Sequence, residues 1–313
     1  MEAKNTLSHQ AVNIALLLLI AFIWASAFGA MKVAVPETGP ITLAAMRSSI
    51  AAVILLCLLR LRGPIEWHIG VKYFPQFLVI GGLGSALPFM MLPWAELHIE
   101  SSLAGLLMSV GPLATLAGAW LFRLEDNIPK SRIFGIIIGL CGALLIFADG
   151  FGMMGTSSID TSGMGHIYLV AQIVAVLASL CYVCGNLMVR RISFIPPLTI
   201  STLAITLSAL LLWPFALIIE APAPSEWSGP AWQMVLWLGI MPTAFAFSVR
   251  YYLIARAGAS FTSYVGYLIP GIAVLIGAIA LGEAVTSDKL AALGLILIGL
   301  ILAQKPASSA KKP

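Results

Sequence analysis

The chain has 313 residues, of which 60% are hydrophobic and only 10% are charged, and its mean hydropathy is +1.01. A soluble domain carries about 25% charged residues, so this composition excludes an ordinary soluble protein and makes lipid the solvent. The net charge of +4 is small and is spread among turns and termini. We expect the lipid bilayer as a partner and no nucleic acid.

Apolar segments follow one another along nearly the whole chain. A helix that crosses a bilayer needs roughly 20 mostly apolar residues. Ten segments qualify, near 11–34, 40–61, 72–94, 100–122, 130–149, 164–190, 196–219, 230–254, 258–282 and 286–304. The sequence therefore predicts an all-α membrane protein with ten transmembrane helices, and we refer to them as predicted helices 1 to 10.

The same apolar pattern is written twice, at an offset of 158 residues. Residues 11–122 and residues 164–281 carry this pattern, about 158 positions apart, and the mid-helix Pro112 falls on Pro270. Few aligned positions are identical, so the alignment rests on helix ends, turns and prolines. Each copy holds five predicted helices, and an odd number forces the second copy to be inverted. Inverted repeats of this kind build transporters, with the substrate site between the copies.

The division of the chain follows from this repeat. We predict a first five-helix repeat over 1–149, a linker over 150–163, a second five-helix repeat over 164–304 and a tail over 305–313. If the N-terminus is cytoplasmic, 14 of the 17 Lys and Arg residues fall on the inner side. Cytoplasmic loops carry such an excess. We therefore expect both termini in the cytoplasm and a multi-pass protein of the cell inner membrane.

Short motifs at corresponding places in the two halves carry a family resemblance. They are Trp24-Ala-Ser-Ala-Phe-Gly-Ala-Met-Lys32 followed by Arg47, Ser101-Ser-Leu-Ala-Gly…Gly111-Pro112…Glu125 followed by Gly135-x-x-x-Gly139, and Ala259-Ser-Phe-Thr-Ser…Pro270…Gly282-Glu283. With these motifs the chain resembles the EamA-type transporters of the drug/metabolite transporter superfamily. The resemblance covers nearly the whole chain, but its motifs are diffuse and say little about substrate.

The resemblance implies a central cavity lined mainly by predicted helices 1, 3, 4, 6, 8 and 9, and transport of a metabolite or amino acid, often export and sometimes proton-linked. We expect a secondary transporter that moves a small organic solute by alternating access, without a cofactor or a metal. The alternative is a nucleotide-sugar or other metabolite exchanger. An intramembrane enzyme or a channel fits less well, because the sequence has neither a catalytic motif at depth nor a selectivity element.

Six side chains are predicted to bind the substrate, namely Trp24, Arg47, Tyr182, Asn186, Tyr264 and Tyr267. Arg47 lies about seven residues inside predicted helix 2, roughly 10 Å from its outer end at 1.5 Å per residue. A charge at membrane depth costs about 2.5–3.5 kcal/mol or more unless it is paired or hydrated. Arg47 either binds a carboxylate in a cavity or extends its head group to the surface. The aromatic residues could instead belong to interfacial belts, and Asn186 could join helices together.

Glu96, His98 and Glu100 cluster in the tight outer turn between predicted helices 3 and 4. A carboxylate or an imidazole at a cavity mouth is able to carry a coupling proton, since histidine titrates near neutral pH. The competing interpretation is a solvated loop. We keep Glu96 and His98 as candidate residues for proton coupling.

Other features are predicted to build the helix bundle rather than to bind substrate. Pro112 and Pro270 interrupt their helices and are candidate hinges. Glu125 and Glu283 stand where one helix ends and the next begins, and we expect them to cap helices. The small residues of 135–143 recur every four positions and permit close helix contact, either within the bundle or in a homodimer through predicted helix 5 or 10.

Overall fold

The computed structural model describes residues 2–114, 130–150, 164–257, 259–262 and 264–303. These residues are almost entirely helical, and no strand occurs among them. Glu125, nearly all of the predicted linker and the predicted tail lie outside the described residues, so the predictions made for them are not addressed by the structure.

We label the main helices α1 to α10 in chain order and leave out the short connecting helices Trp67–Lys72 and Pro224–Glu226. The bounds are α1 (Glu2–Thr38), α2 (Pro40–Arg62), α3 (Phe74–Glu96), α4 (Ser101–Ala114), α5 (Lys130–Gly150), α6 (Met164–Arg191), α7 (Pro197–Glu220), α8 (Gly229–Leu238 continued through Ala246–Ala257), α9 (Val265–Leu281, preceded by Ala259–Thr262) and α10 (Ser287–Ala303). Six of the described helices, α1, α2, α3, α6, α7 and α8, are long and apolar enough to cross a membrane, and apolar parts of α4, α5 and α9 are shorter. This is the architecture of a multi-pass membrane protein, as the composition predicts.

The main helix contacts join the first half of the chain to the second. Helix α1 packs on α8 and α9, α6 packs on α3 and α4, α2 packs on α7, and α5 packs on α10. The largest buried cluster accordingly mixes Met31 and Leu106 with Ala175 and Leu238. The two halves are therefore interleaved around one core and are not separate bodies.

Helices α3 and α8 each contain a π-helical segment, over Leu78–Ala86 and Gly239–Phe245. In each segment a hydroxyl group donates to the carbonyl five residues earlier, Ser85 to Ile80 at 3.1 Å and Thr243 to Leu238 at 2.7 Å. Ser85 and Thr243 are 158 residues apart. In α8 the cause lies in Pro242, which has no N–H for the carbonyl of Leu238. The hydroxyl of Thr243 supplies the missing donor.

Helix α4 is interrupted at Ser109, three residues before Pro112. Pro112 cannot donate to the carbonyl of Met108, four residues earlier. The hydroxyl of Ser179 in α6 donates to that carbonyl instead, at 3.0 Å. The break in α4 is thus satisfied by a side chain of the other half, as a bilayer interior requires.

The stripe of small residues in α5 packs against α10 within the bundle. A Cβ atom placed on Gly135 would lie 2.5 Å from the carbonyl oxygen of Gly299, and one placed on Gly142 would lie 2.9 Å from that of Ala292. Side chains larger than hydrogen would force the two helices apart. The stripe therefore serves a contact inside the bundle, and the predicted homodimer through these helices stays a prediction.

Three carboxylates cap the N-termini of helices at one end of the bundle. Glu220, at the end of α7, accepts from the main-chain N–H groups that begin α2 (Ile41 and Thr42), at 2.9 and 2.6 Å. Glu283 accepts from those that begin α4, at 2.7 and 2.9 Å, and Glu37 accepts from the N–H and hydroxyl of Ser228 at the start of α8. Carboxylates here satisfy free N–H groups and complement the helix dipole. We call this end, marked by Glu37, Glu220 and Glu283, the capped end.

The capping role predicted for Glu283 is thus observed, but on a different helix. The sequence suggests the helix that follows it, whereas the structure gives Glu283 to α4, some 180 positions away in the chain. A capping motif in sequence says that an acid lies near a helix start but does not say which start. Two features at Gly39 exclude a side chain there. Its φ is 76°, and the Glu220 carboxylate fills the space that a Cβ atom would occupy.

The contact between α5 and α10 predicts a position-specific loss of stability. Gly299→Leu should destabilise the protein by about 1–3 kcal/mol, because the new side chain overpacks a closely approached backbone. Gly294→Leu on the same helix is the matched control, since a Cβ at Gly294 meets nothing within 4 Å. Thermal unfolding of the purified proteins in detergent measures both. Equal melting temperatures for the two variants would contradict the close contact.

Candidate substrate site

Arg47 lies in α2 with only 5% of its surface exposed, so it does not extend to the surface of the bundle. Its Nε and Nη2 donate to Oγ1 of Thr243 in α8, at 3.3 and 3.1 Å. The guanidinium carbon lies 4.0 Å from the centre of the Phe89 ring in α3. Its Nη1 contacts the Sδ of Met31 in α1 at 3.7 Å. The guanidinium group therefore lies where four helices from both halves meet.

The partners of the Arg47 side chain are all neutral. They are a hydroxyl, a thioether and an aromatic ring, and no carboxylate among the described residues forms an ion pair or a hydrogen bond with it. Removing a charge from water costs several kcal/mol. A guanidinium group has five N–H donors in a planar fork that matches a carboxylate. Arg47 is consequently a buried cation equipped to bind an anionic group.

Trp24 contacts the same π-helical segment as Arg47. Its Nε1 donates to the carbonyl of Pro242 at 2.9 Å, and Pro242 is followed directly by Thr243. The π-helical segment of α8 therefore presents one carbonyl to Trp24 and one hydroxyl to Arg47. Two of the side chains predicted from sequence converge on adjacent residues of α8.

Aromatic rings are paired in a way that repeats across the two halves. Phe89 in α3 meets Tyr182 in α6 edge to face, with ring centres 6.4 Å apart. Trp24 in α1 meets Phe247 in α8 edge to face, with ring centres 5.8 Å apart. Trp24 and Tyr182 are 158 residues apart, and so are Phe89 and Phe247. Tyr182 also interacts electrostatically with Arg47, so the Phe89 and Tyr182 rings form an aromatic frame beside the guanidinium.

The other three predicted substrate residues lie apart from this frame. The hydroxyl of Tyr267 donates to the carbonyl of Leu300 in α10 at 2.9 Å, which gives it a structural partner. Tyr264 is half exposed and its ring packs on those of Phe261 and Tyr267. Asn186 is exposed. Within the described residues, no hydrogen bond or ring contact joins any of the three to Arg47.

The turn predicted to couple protons lies at the capped end. Glu96 ends α3 and is fully buried. Lys32 in α1 donates from its Nζ to the carbonyls of Glu96 and Ile99, the latter at 2.8 Å. The ring of His98 packs edge to face on Trp94, with centres 5.0 Å apart. The Glu96 side chain is therefore buried in the interior, whereas the His98 ring packs against the Trp94 indole.

Glu100, Lys289 and Glu283 at the capped end have defined partners. Glu100 forms an ion pair with Lys289 at the start of α10. Burial alone would raise the pKa of Glu283, but the hydrogen bonds from Ser102 and Ser101 outweigh it and lower that pKa below its usual value. Glu283 is thus an ionised cap near neutral pH.

An open groove elsewhere on the molecule has no polar lining. It runs between α3 and α7 and is lined by Leu78, Val79, Gly82, Leu83, Ala86, Leu87, Met90, Leu211, Leu212 and Phe215. None of the predicted substrate residues borders it. The groove has the chemistry of a lipid-facing surface, whereas the polar groups gather around Arg47.

Sequence reasoning missed three members of this site, Thr243, Phe89 and Met31. Each is an unremarkable residue inside an apolar segment. Two signals were available, because Phe89 is one of the few residues identical in both halves and Thr243 follows a mid-helix proline. Neither signal identifies Arg47 as the partner, since that requires the packing of α2 against α8.

The family of the protein follows from a comparison with known families. The model of the EamA-like transporter family matches twice, over residues 12–148 and 168–304. This chain belongs to the EamA-like transporter family. The resemblance predicted from the motifs is therefore confirmed, together with the assignment to membrane transporters. The family and the names of its relatives point to transport rather than to enzymatic catalysis.

Relatives of similar length support the assignment. An uncharacterised transporter of Archaeoglobus fulgidus is 27% identical, with 92% of this chain and 97% of that protein covered. A probable terminal-alkyne amino-acid exporter of Streptantibioticus cattleyicolor is 26% identical, over 90% and 91% of the two chains. The inner membrane transporter YedA of Escherichia coli is 22% identical, over 91% and 88%. A solved crystal structure covers 95% of this chain and 97% of its own, at a TM-score of 0.63 and 18% identity, and so shares the fold.

The junction at Thr243 predicts a variant pair. Thr243→Val keeps the shape but removes the hydroxyl, which leaves the Leu238 carbonyl and the Arg47 guanidinium each short of a partner. A buried polar group left unsatisfied costs about 1–3 kcal/mol, so the melting temperature in detergent should fall. Thr243→Ser retains the hydroxyl and should keep most of the stability. A valine variant as stable as the serine variant would contradict this role.

Proposed function

We propose that the EamA-like protein is a secondary transporter that exports an amino acid with an apolar side chain by alternating access. The observation that carries this proposal is the buried Arg47, which has no carboxylate partner among the described residues and lies against aromatic rings between the two halves. Such a group recognises a carboxylate by charge and by its two parallel N–H donors. The rings beside it suit an apolar or aromatic side chain.

We further propose that the chain forms ten transmembrane helices in two inverted five-helix repeats. Support comes from features that recur at the offset of 158 residues, the hydroxyl bonds of Ser85 and Thr243 and the ring pairs Phe89–Tyr182 and Phe247–Trp24. The family model likewise matches two separate ranges. The substrate site lies between the repeats, as is common in such transporters.

The proposed orientation has both termini in the cytoplasm of a cell inner membrane. The 14 Lys and Arg residues of the predicted inner side support it. The capped end then faces outward and is rich in carboxylates, which the positive-inside rule allows. The name of the E. coli relative is consistent with an inner membrane location.

The proposed movement is a rocking of the repeats with bending near Pro112 and Pro270. Support comes from the break of α4 just before Pro112. The Pro112 ring also lies close to Gly266 in α9. The carbonyl of Gly266 has no helical donor, because Pro270 lacks an N–H. Both prolines thus lie where α4 and α9 meet. A helix pair weakened at its crossing is suited to alternate between two arrangements.

The choice of an amino acid over a nucleotide sugar rests on the groups in direct contact with the Arg47 guanidinium, which are all neutral. A nucleotide sugar carries two phosphate groups and would favour several cations together. The described side chains in direct contact with Arg47 include no second cation. The relative named a probable terminal-alkyne amino-acid exporter favours the same choice. A nucleotide-sugar or other metabolite exchanger stays the second candidate.

Counterflow in proteoliposomes tests the proposal, with L-phenylalanine and L-leucine as probes and phenethylamine as a probe without a carboxylate. We expect exchange of the two amino acids and not of phenethylamine. Arg47→Ala should reduce the exchange about 10- to 100-fold, since hydrogen bonds to charged groups contribute about 1.5–3 kcal/mol.

Arg60→Ala is the matched control, because Arg60 lies on the same helix but is exposed. It should exchange amino acids at the rate of the wild-type protein. Equal rates for Arg47→Ala and Arg60→Ala would remove Arg47 from the substrate site, and equal exchange of phenethylamine would remove the carboxylate from recognition.

A further inference from the structure

We propose that Glu96 is the proton-binding site of this transporter. In this proposal it holds a proton as a neutral carboxylic acid while the capped end is closed, and it loses that proton when the end opens to water. The inference rests on the proposed function for its role in transport. The protonation of Glu96 itself is inferred from the packing at the capped end alone.

The burial of the Glu96 side chain is the first step of the argument. Glu96 has no exposed surface, and neither of its carboxylate oxygens has a hydrogen-bond partner among the described residues. An isolated carboxylate in apolar surroundings is so unfavourable that the group takes up a proton instead. Its neighbours along the chain, Leu92, Ala95 and Ile99, belong to the main apolar cluster. A neutral acid fits this environment and a bare carboxylate does not.

The neighbouring charges are engaged elsewhere. Lys32 from α1, Arg47 from α2 and Glu283 after α9 act electrostatically on Glu96. Lys32 donates to main-chain carbonyls, Arg47 donates to Thr243, and Glu283 caps α4. Two cations and one anion thus surround Glu96, but none forms a hydrogen bond with its carboxyl group.

The charges of the adjoining turn do not change this conclusion. Glu100 is paired with Lys289 of α10, and His98 packs on the indole of Trp94. Of the two residues predicted to couple protons, Glu96 therefore has the environment that a proton carrier needs. His98 has an aromatic partner and is not required for the proposal.

The position of Lys32 links protonation to closure. Its ammonium group fastens α1 to the last turn of α3 through the carbonyls of Glu96 and Ile99. Separating α1 from that turn would free the ammonium and admit water to Glu96, so that the carboxylate could ionise beside a cation. Closing reverses both changes and requires a proton. With the capped end outward, Glu96 returns its proton to the outside on opening and takes one from the outside on closing, so the external pH sets how readily this end opens.

Stability as a function of pH tests the protonation without any substrate. Glu96→Gln resembles the neutral acid but cannot ionise. If the closed protein holds the proton, the wild-type protein loses stability as pH rises, because its unfolded chain gives up a proton that the folded chain retains. The melting temperature of Glu96→Gln in detergent should therefore exceed that of the wild type increasingly between pH 5.5 and 8.5, by at least about 2 °C at the upper end.

Glu100→Gln is the matched control from the same turn, and its difference from the wild type should stay constant over this range. A Glu96→Gln variant that is less stable than the wild type at pH 8.5, or a difference that does not change with pH, would overturn the proposal. Glu96→Leu is a second neutral replacement. Failure of both Glu96 variants to give folded protein also counts against a neutral acid.

Counterflow at different external pH values tests the link between Glu96 and opening. Proteoliposomes hold L-phenylalanine at a constant internal pH, which a proton-sensitive dye reports. The rate of counterflow should differ between external pH values of about 5.5 and about 8.5 in the wild type and in Glu100→Gln, and it should be the same at both values in Glu96→Gln. An effect of external pH that persists in Glu96→Gln would overturn this link. If the wild type does not move phenylalanine at all, the proposed substrate is wrong, but the stability measurement still decides the protonation of Glu96.

Discussion

Inside a bilayer every main-chain polar group must find its partner within the protein. In this chain a side chain that satisfies a carbonyl freed by a proline also contacts the candidate site. Pro242 leaves the Leu238 carbonyl without a helical donor, and the Thr243 hydroxyl replaces it. The same hydroxyl oxygen then accepts from the buried Arg47. The Thr243 hydroxyl thus satisfies a backbone carbonyl and holds the Arg47 guanidinium at the same time. The position of the guanidinium depends on a defect in the helix opposite.

Among the described residues two charged side chains are buried, Arg47 and Glu96, and each is accommodated differently. Arg47 stays cationic, because a guanidinium keeps its proton under all ordinary conditions, and it spreads its charge over a ring and a hydroxyl. Glu96 is able to become neutral by binding a proton, and its carboxylate oxygens have no hydrogen-bond partner among the described residues. The cation is suited to a fixed task such as binding an anion, whereas the acid is suited to a reversible one.

The sequence was sufficient for the features that depend on one segment at a time. A charge deep in an apolar segment singled out Arg47, and the spacing of apolar segments indicated a helical membrane protein. Contacts between distant segments could not be predicted. Glu220 caps α2 across 178 positions, and the Tyr267 hydroxyl donates to a main-chain carbonyl of α10. An error of two residues in a helix boundary rotates a side chain to another face, so the facing of Tyr267 and Asn186 was beyond periodicity.

The two halves of the chain share some chemical groups at corresponding positions and differ in others. The features shared at the offset of 158 residues are the hydroxyl bonds of the π-helical segments and the edge-to-face ring pairs, which shape the helices and their crossings. Arg47 and Glu96 are not shared, because Ile205 stands where the offset from Arg47 falls and Ile254 where that from Glu96 falls. A symmetric scaffold allows two arrangements of similar energy, and asymmetric charges allow ligand and proton to favour one of them. A ligand shifts such an equilibrium only through its different affinity for the two states, and the groups proposed to create that difference, Arg47 and Glu96, both lie in the first half of the chain.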